Sequence, residues 1–340
     1  MSFNHLKYGL RRWLQWMFVL GLRCTGVLRR TREEARKANG ILALTLHRVL
    51  EDQAFRDTNS PPGMVIRKET FRELCAYLRR EYELVRLDSS GHRVSSRLKA
   101  LVTFDDGWLD TYRVAYPIAR QMQVPLIVFV CPALSDQASP FWPERIVASL
   151  KQRNGNRITS SDCEQALSPW KALSADERTA RLDELSKEQV ELSKWDRTMS
   201  IDQLSKMHAN GVEFGSHTNT HQILTTVDNV TAIAELADSK AEMQRYLQQE
   251  CDVIAYPNGS ENDEVRRLTA QQGYRLAFTT DRGIWTEDSD LMAVPRCNLS
   301  EEDLTDPLGR FSSAMFEYTT LWKAWSADSA KRSKAGASGA

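Results

Sequence analysis

The chain has no Cys-x-x-Cys pair: its six cysteines, Cys24, Cys75, Cys131, Cys163, Cys251 and Cys297, are scattered over 340 residues. That scatter excludes a zinc ribbon and a small disulfide scaffold; Cys75 and Cys131 sit in apolar patterns and read as core residues. There is no excess of either charge, with 45 basic residues interspersed with 45 acidic ones, so no nucleic-acid partner is expected. Nor does any apolar run near the start reach the roughly twenty residues of a membrane-spanning helix. Trp13 to Leu22 is too short and is interrupted by Gln15. Histidine is scarce, at six residues, so two of them at a ligand spacing carry information.

What is present begins with a distinct first forty residues. Lys7, Arg11 and Arg12 precede the apolar run, and Arg23, Arg29, Arg30 and Arg32 follow it. The arrangement has the n- and h-regions of a signal peptide, yet no small-x-small cleavage site follows, and Arg23 before Cys24 does not suit a lipoprotein. Two readings stay open for residues 1–40: an amphipathic helix in peripheral contact with a membrane interface, or a helix packed on the domain. The missing cleavage site favours a cytoplasmic location, peripheral to the inner membrane, with the periplasm as the alternative.

From Ile41 onward strands and helices alternate, which is how a parallel sheet is written. Ile41 to Leu46 reads as a buried strand ending at His47, Phe71, Leu74, Cys75 and Leu78 mark an amphipathic helix, and Leu126 to Val130 form another strand. The stretch between Phe141 and Met207 is helical and charged, with Ser-x-x-Glu/Gln capping boxes at Ser174–Glu177 and Ser200–Gln203. Asn210-Gly211 closes its last helix. The expected organisation is one α/β domain over 41–325 with a helical insertion at about 139–210, followed by a disordered tail at 326–340.

Two stretches carry the chemistry. Ala100-Leu101-Val102-Thr103-Phe104-Asp105-Asp106-Gly107-Trp108 ends a buried strand in two carboxylates, at the sheet edge where α/β enzymes work. Adjacent carboxylates repel, so a cation or a shared proton is implied; capping of the next helix by one of them, or by Asp110, is the plainer alternative. The strand Val212 to Gly215 ends in Ser216-His217-Thr218-Asn219-Thr220-His221. Its two histidines, four apart, can point at a single cation and, with a carboxylate, make a His-His-Asp set with open positions.

Thr103-Phe104-Asp105-Asp106-Gly107 and His217-Thr218-Asn219-Thr220-His221 resemble the first two motifs of the polysaccharide deacetylases, the NodB-homology or carbohydrate esterase family 4 enzymes. Ala255-Tyr256-Pro257-Asn258-Gly259 is similar to that family's Pro-containing loop. The resemblance spans Ile41 to about Asn298 and implies a distorted (β/α)7-8 barrel and metal-dependent removal of N-acetyl groups from amino sugars. It makes Asp106, His217 and His221 the metal ligands, for zinc by expectation, with cobalt, nickel or manganese also acceptable to such donors. It makes Asp105 the general base and places Tyr256, Pro257 and Asn258 around the substrate oxyanion. Pro257 has no N–H, so Asn258 is the better donor there.

Two departures stand out. The family's general acid is a late histidine, and none follows His221; His47, in Leu44-Thr45-Leu46-His47, resembles the same motif as circularly permuted, poly-N-acetylglucosamine deacetylase-like members carry it. A core or loop role for His47 is the plain alternative. The arginine before the motif proline is replaced by Ala255, and Arg296 in Val294-Pro295-Arg296, after a strand at Leu291 to Val294, is the candidate substitute unless it is a surface residue. Trp285 and Trp142 could floor a sugar site or pack in the core, and His208 reads as a helix-surface residue. The expected substrate is an N-acetylated polysaccharide or lipid-linked glycan. Hydrolysis of another C–N amide, such as an imide or ureide, and a non-catalytic glycan-binding role are the alternatives. Asp105, which pure binding would not require, counts against the last.

Overall fold

The computed structural model describes residues 3–87, 95–138, 141–154, 158–186 and 193–324. Ten strands are present among them: β1 (Ile41–Leu46), β2 (Arg48–Leu50), β3 (Val65–Arg67), β4 (Glu83–Leu84), β5 (Lys99–Phe104), β6 (Ile127–Val130), β7 (Glu213–Ser216), β8 (Val253–Ala255), β9 (Leu276–Phe278) and β10 (Cys297–Asn298). The main sheet runs β10-β1-β5-β6-β7-β8-β9, every pair parallel, with β4 beside the first half of β5. A short segment curls it into a distorted barrel. Val294 bridges Phe278 at the β9 edge, and three residues later Cys297 and Asn298 pair with Leu44 and Thr45 of β1.

β1 and β5 are buried at all six positions, as near-continuous apolar runs are when both faces of a sheet are covered. The two-residue period sorts their side chains. Leu42, Leu44, Leu46, Ala100, Val102 and Phe104 face outward against helices, including Phe71 and Leu74 of the helix Lys68–Glu81. Ile41, Ala43 and Leu101 face inward with Ile127, Phe129, Val253, Ala255, Leu276 and Phe278 and fill the barrel. Continuing the inward series past the strand ends reaches His47 and Asp105. Gly215 is required on this inner face: a Cβ there would lie 2.6 Å from Phe129.

Between β6 and β7 lie the helices Trp142–Asn154, Ser160–Lys171, Ala175–Ser186 and Ile201–Ala209. The capping boxes at Ser174–Glu177 and Ser200–Gln203 both form, and Gly211 takes the left-handed conformation (φ 87°) that ends the last helix. Leu291 to Val294 is not a strand: Asp290 accepts from the Met292 and Ala293 N–H groups in a turn, the Leu291 carbonyl accepts from the Ala277 N–H, and Val294 makes the one bridge, to Phe278. Five cysteines are buried and Cys24 is exposed, all unbridged. The N-terminal helix, Phe3–Cys24, turns at Gly26 (φ 76°) into a second helix, Val27–Lys37. Val19, Trp16 and Leu22 of the first helix pack on Leu28, Met315 and Trp322. Among the described residues no helix is long and apolar enough to cross a membrane. The tail expectation at 326–340 lies outside the described residues.

Candidate active site

The carboxyl ends of the strands converge on one cavity of about 420 Å³, lined by His47, Asp105, Asp106, His217, His221 and Asn258, with Met64, Trp142, Cys163 and Leu167 at its sides. His47 leaves β1, Asp105 and Asp106 leave β5, His217 leaves β7, and Asn258 lies in the loop after β8. The backbone at these ends is sharply turned: Asp106, Thr218, His221 and Asn258 have φ between 59° and 73°. Such values are uncommon outside glycine and cluster where function fixes the chain. Gly107 continues the turn at φ 73°, where a Cβ would also crowd Val130 at 3.2 Å.

Asp106, His217 and His221 come together. Asp106 Oδ1 lies 3.3 Å from His217 Nε2 and 3.4 Å from His221 Nε2, and the three donors fall within 4.8 Å of one another. His217 Nδ1 is 2.7 Å from the Ala255 carbonyl, which can only accept, so Nδ1 carries the proton and the Nε2 lone pair faces Asp106. The other oxygen of Asp106 accepts from Trp108 Nε1 at 2.9 Å. One carboxylate oxygen and two imidazole lone pairs converging on a common point is a donor set that fits a small divalent ion.

Asp105 points to a different partner. Arg296, fully buried, donates from Nη1 to Asp105 Oδ1 (2.8 Å) and from Nη2 to Oδ2 (2.7 Å). Nη1 also reaches Thr103 Oγ1 at 3.0 Å, Nε donates to the Thr279 carbonyl at 2.9 Å, and the guanidinium lies over Phe129 and Phe278. Arg296 is therefore no surface residue. It is delivered to Asp105 from the segment that closes the barrel.

Burial alone would raise both acids, yet Arg296 and His217 hold Asp105 below the usual carboxylate range. Against that burial, His217 and His221 beside it hold Asp106 further below it. For His47 burial dominates and lowers the imidazole despite both aspartates, and its buried Nδ1 has no protein partner. For His217 the opposing effect of burial is outweighed by Asp106 and Asp105, which raise it.

Some expected residues lie elsewhere. Tyr256 follows the inward-facing Ala255, so its side chain points outward into a cluster with Leu236, Val265 and Leu268; its hydroxyl donates to the Met292 carbonyl and its N–H to that of Phe278. Pro257 is buried and is not among the residues lining the cavity; Asn258 is. Trp285 packs inside the barrel, bridging Ile41 at the amino end of β1 and meeting Phe278 edge-on, which removes it from any sugar floor, whereas Trp142 lines the cavity. Asp110 caps nothing. Its carboxylate accepts from Arg48 Nε (2.9 Å), Arg48 Nη2 (2.8 Å) and the Val49 N–H (2.9 Å). His208 is half-buried in its helix.

Sequence reasoning missed the layer beneath. Arg48, fully buried, joins Asp110 to Asp196 (2.5 Å), Thr58, Ser60 and the Trp195 carbonyl, and stacks 4.2 Å over Trp108. The available signals were thin: a charged residue within an apolar stretch, and a tryptophan two places after Asp106.

A family model described as polysaccharide deacetylase matches residues 93–277, a span that includes both aspartates and both histidines, while His47 and Arg296 lie outside it. "Putative polysaccharide deacetylase YxkH" of Bacillus subtilis (strain 168) is 22% identical over 215 residues, 63% of this chain and 56% of that protein. The chain thus spans little more than half the length of that relative. Among solved structures, the Streptococcus pyogenes deacetylase PplD in complex with acetate is similar over 83% of this chain and 98% of its own (TM-score 0.56, 19% identity). IcaB from Ammonifex degensii is similar over 78% and 93% (TM-score 0.54, 19% identity). At these identities the likeness is one of fold.

Proposed function

This chain belongs to the polysaccharide deacetylase family, and on that premise we propose that it hydrolyses N-acetyl groups on N-acetylhexosamine residues of a polysaccharide or lipid-linked glycan, releasing acetate. The observation that carries the reading is the pairing of Asp105 with Arg296 directly beside the Asp106, His217 and His221 set: a buried, ionised carboxylate that the set does not use. A pure binding site has no need of it.

Asp106, His217 and His221 would hold the divalent ion, zinc by the chemistry of the donors with cobalt, nickel or manganese also acceptable; when bound it supplies Lewis acidity toward water and the acetamide carbonyl. Asp105, fixed at both oxygens by Arg296, accepts the proton that the attacking water loses. The Asn258 N–H donates to the oxyanion as the carbonyl becomes tetrahedral. His47 protonates the departing nitrogen; burial makes its conjugate acid a stronger donor than ordinary imidazolium. One water and one acetamide become one acetate and one free amine.

The test is acetate release from N-acetylglucosamine oligomers by the purified protein and by Asp105→Asn. Release that the variant loses, with its metal content unchanged, supports the reading. Equal release by both, or none by the wild type loaded with each of the four ions, sinks it. Release from a small imide or ureide but not from the oligomers would move the activity to another C–N bond.

A further inference from the structure

The N-terminal helix is apolar on two faces. One face, with Trp16, Val19 and Leu22, packs on the body of the protein, and Arg12 and Arg23 tie it down through the Glu302, Thr305 and Asp306 carbonyls and the Ser313 hydroxyl. The other carries Leu10, Trp13, Leu14, Met17 and, at its border, Phe18, whose ring also meets Tyr318 and Trp322 edge-on; each is between 46% and 61% exposed. Their spacing is i, i+3, i+4, i+7, i+8, so they form one continuous stripe, and they are half of the large apolar side chains exposed among the described residues. Isolated exposed apolar residues need no explanation, but an aligned stripe rimmed by charge marks a surface that something covers.

Charge identifies the cover. Residues 1–32 hold seven basic residues and no acidic one, in a chain whose charges cancel only as a whole. Arg11, Arg29 and Arg30 are exposed. A second copy of the chain would bring this basic segment against itself, which like charge disfavours. An anionic surface would be attracted to it. We propose that this helix docks the protein on an anionic lipid bilayer, lying in the interface plane with the stripe among headgroups and acyl chains. The carbonyls that hold Arg12 follow the carboxyl end of β10, the end of the barrel that carries the cavity. Docking would therefore hold that end near the lipid.

The experiment is sedimentation of the full chain with vesicles of equal parts phosphatidylcholine and phosphatidylglycerol, and with phosphatidylcholine alone. It does not depend on the catalytic reading. The wild type is expected to bind the anionic vesicles, more weakly in high salt. The double variant Leu14→Glu/Met17→Glu should bind about tenfold or more weakly while melting at the wild-type temperature. A single variant, Arg11→Glu, should weaken binding to anionic vesicles but not to neutral ones. Absence of wild-type binding to anionic vesicles, or equal binding by the double variant, would overturn the proposal. So would a lipid-free dimer, seen by light scattering, that the double variant dissociates.

Discussion

Asp105 and Asp106 are adjacent in the chain yet meet different chemistry, because one inward step along β5 aims the first at Arg296 and the turn at φ 73° aims the second at the histidines. If the two hydrogen bonds of the guanidinium orient Asp105, Arg296→Lys keeps the charge but loses the fork. Its kcat for acetate release should fall roughly tenfold to a hundredfold, with KM nearly unchanged; an unaltered kcat would remove Arg296 from the machinery. Trp108 presents a parallel case at Asp106. Trp108→Phe removes the 2.9 Å donor to Oδ2 and keeps the ring under Arg48, so affinity for zinc, measured by chelator competition, should weaken about tenfold. Unchanged affinity would mean that the indole N–H orients nothing. At this scale the sequence announced the residues that share a short motif, Asp105-Asp106 and His217 with His221. It announced Arg296 only as one option of two, because Val294-Pro295-Arg296 has no internal pattern and its meaning depends on a contact with Asp105, 191 residues away. Tyr256 was misplaced although the two-residue period from Val253 and Ala255 already pointed it outward.

Among the elements, β2 is a three-residue strand that pairs with β3 outside the main sheet. Its first residue, Arg48, is the hub that joins the β1 end, the loop at Thr58 to Ser60, the turn after β5 and the Trp195-Asp196 segment that precedes the insertion's last helix. Removing one partner of a buried ion pair strands the others, at a cost of roughly 3–5 kcal/mol. Arg48→Leu leaves both Asp110 and Asp196 without their cation and should lower the melting temperature sharply, or prevent folding. A melting temperature within a degree or two of wild type would show that these carboxylates are met by solvent instead. The insertion's helices were legible from their capping boxes, which are local, whereas their attachment was not. Asp196 lies in a polar stretch of sequence and becomes significant only when Arg48 is found opposite. The supposed strand at Leu291 failed for a local reason as well: Asp290 holds a turn there that an apolar pattern does not reveal.

For the molecule as a whole, closure of the barrel decides what can meet, since β10 and β5 flank β1 and so bring Arg296 and Asp105 to the same end as His47. Barrel class was readable from the alternation of strands and helices, because parallel strands buried on both faces must be apolar throughout. The ring itself was not, because Val294 contributes a single bridge. The same burial shapes stability against pH, and here two groups of acids act in opposite directions. Asp105 and Asp106 are held below their ordinary range, so what they contribute is present above the unfolded value of about 3.9 and is lost as pH falls through their folded values. Glu144, at the start of the insertion, is buried with one oxygen accepting from Ser60 Oγ and the other unpartnered. Burial, with Asp196 and Asp106 nearby, raises it to about 8. Between about pH 4.3 and that value the unfolded chain binds fewer protons here than the folded one. Stability at this site is therefore full at low pH and declines as pH rises through the folded value. Glu144→Gln keeps the acceptor for Ser60 and removes the ionisation. Its melting temperature relative to wild type should climb steadily between about pH 5 and pH 8 and level off above, by an amount equivalent to a few kcal/mol at most. Thermal melts of the two proteins in a pH series would check this, and curves that stay parallel across that range would mean that Glu144 ionises in the folded protein as readily as in the unfolded chain.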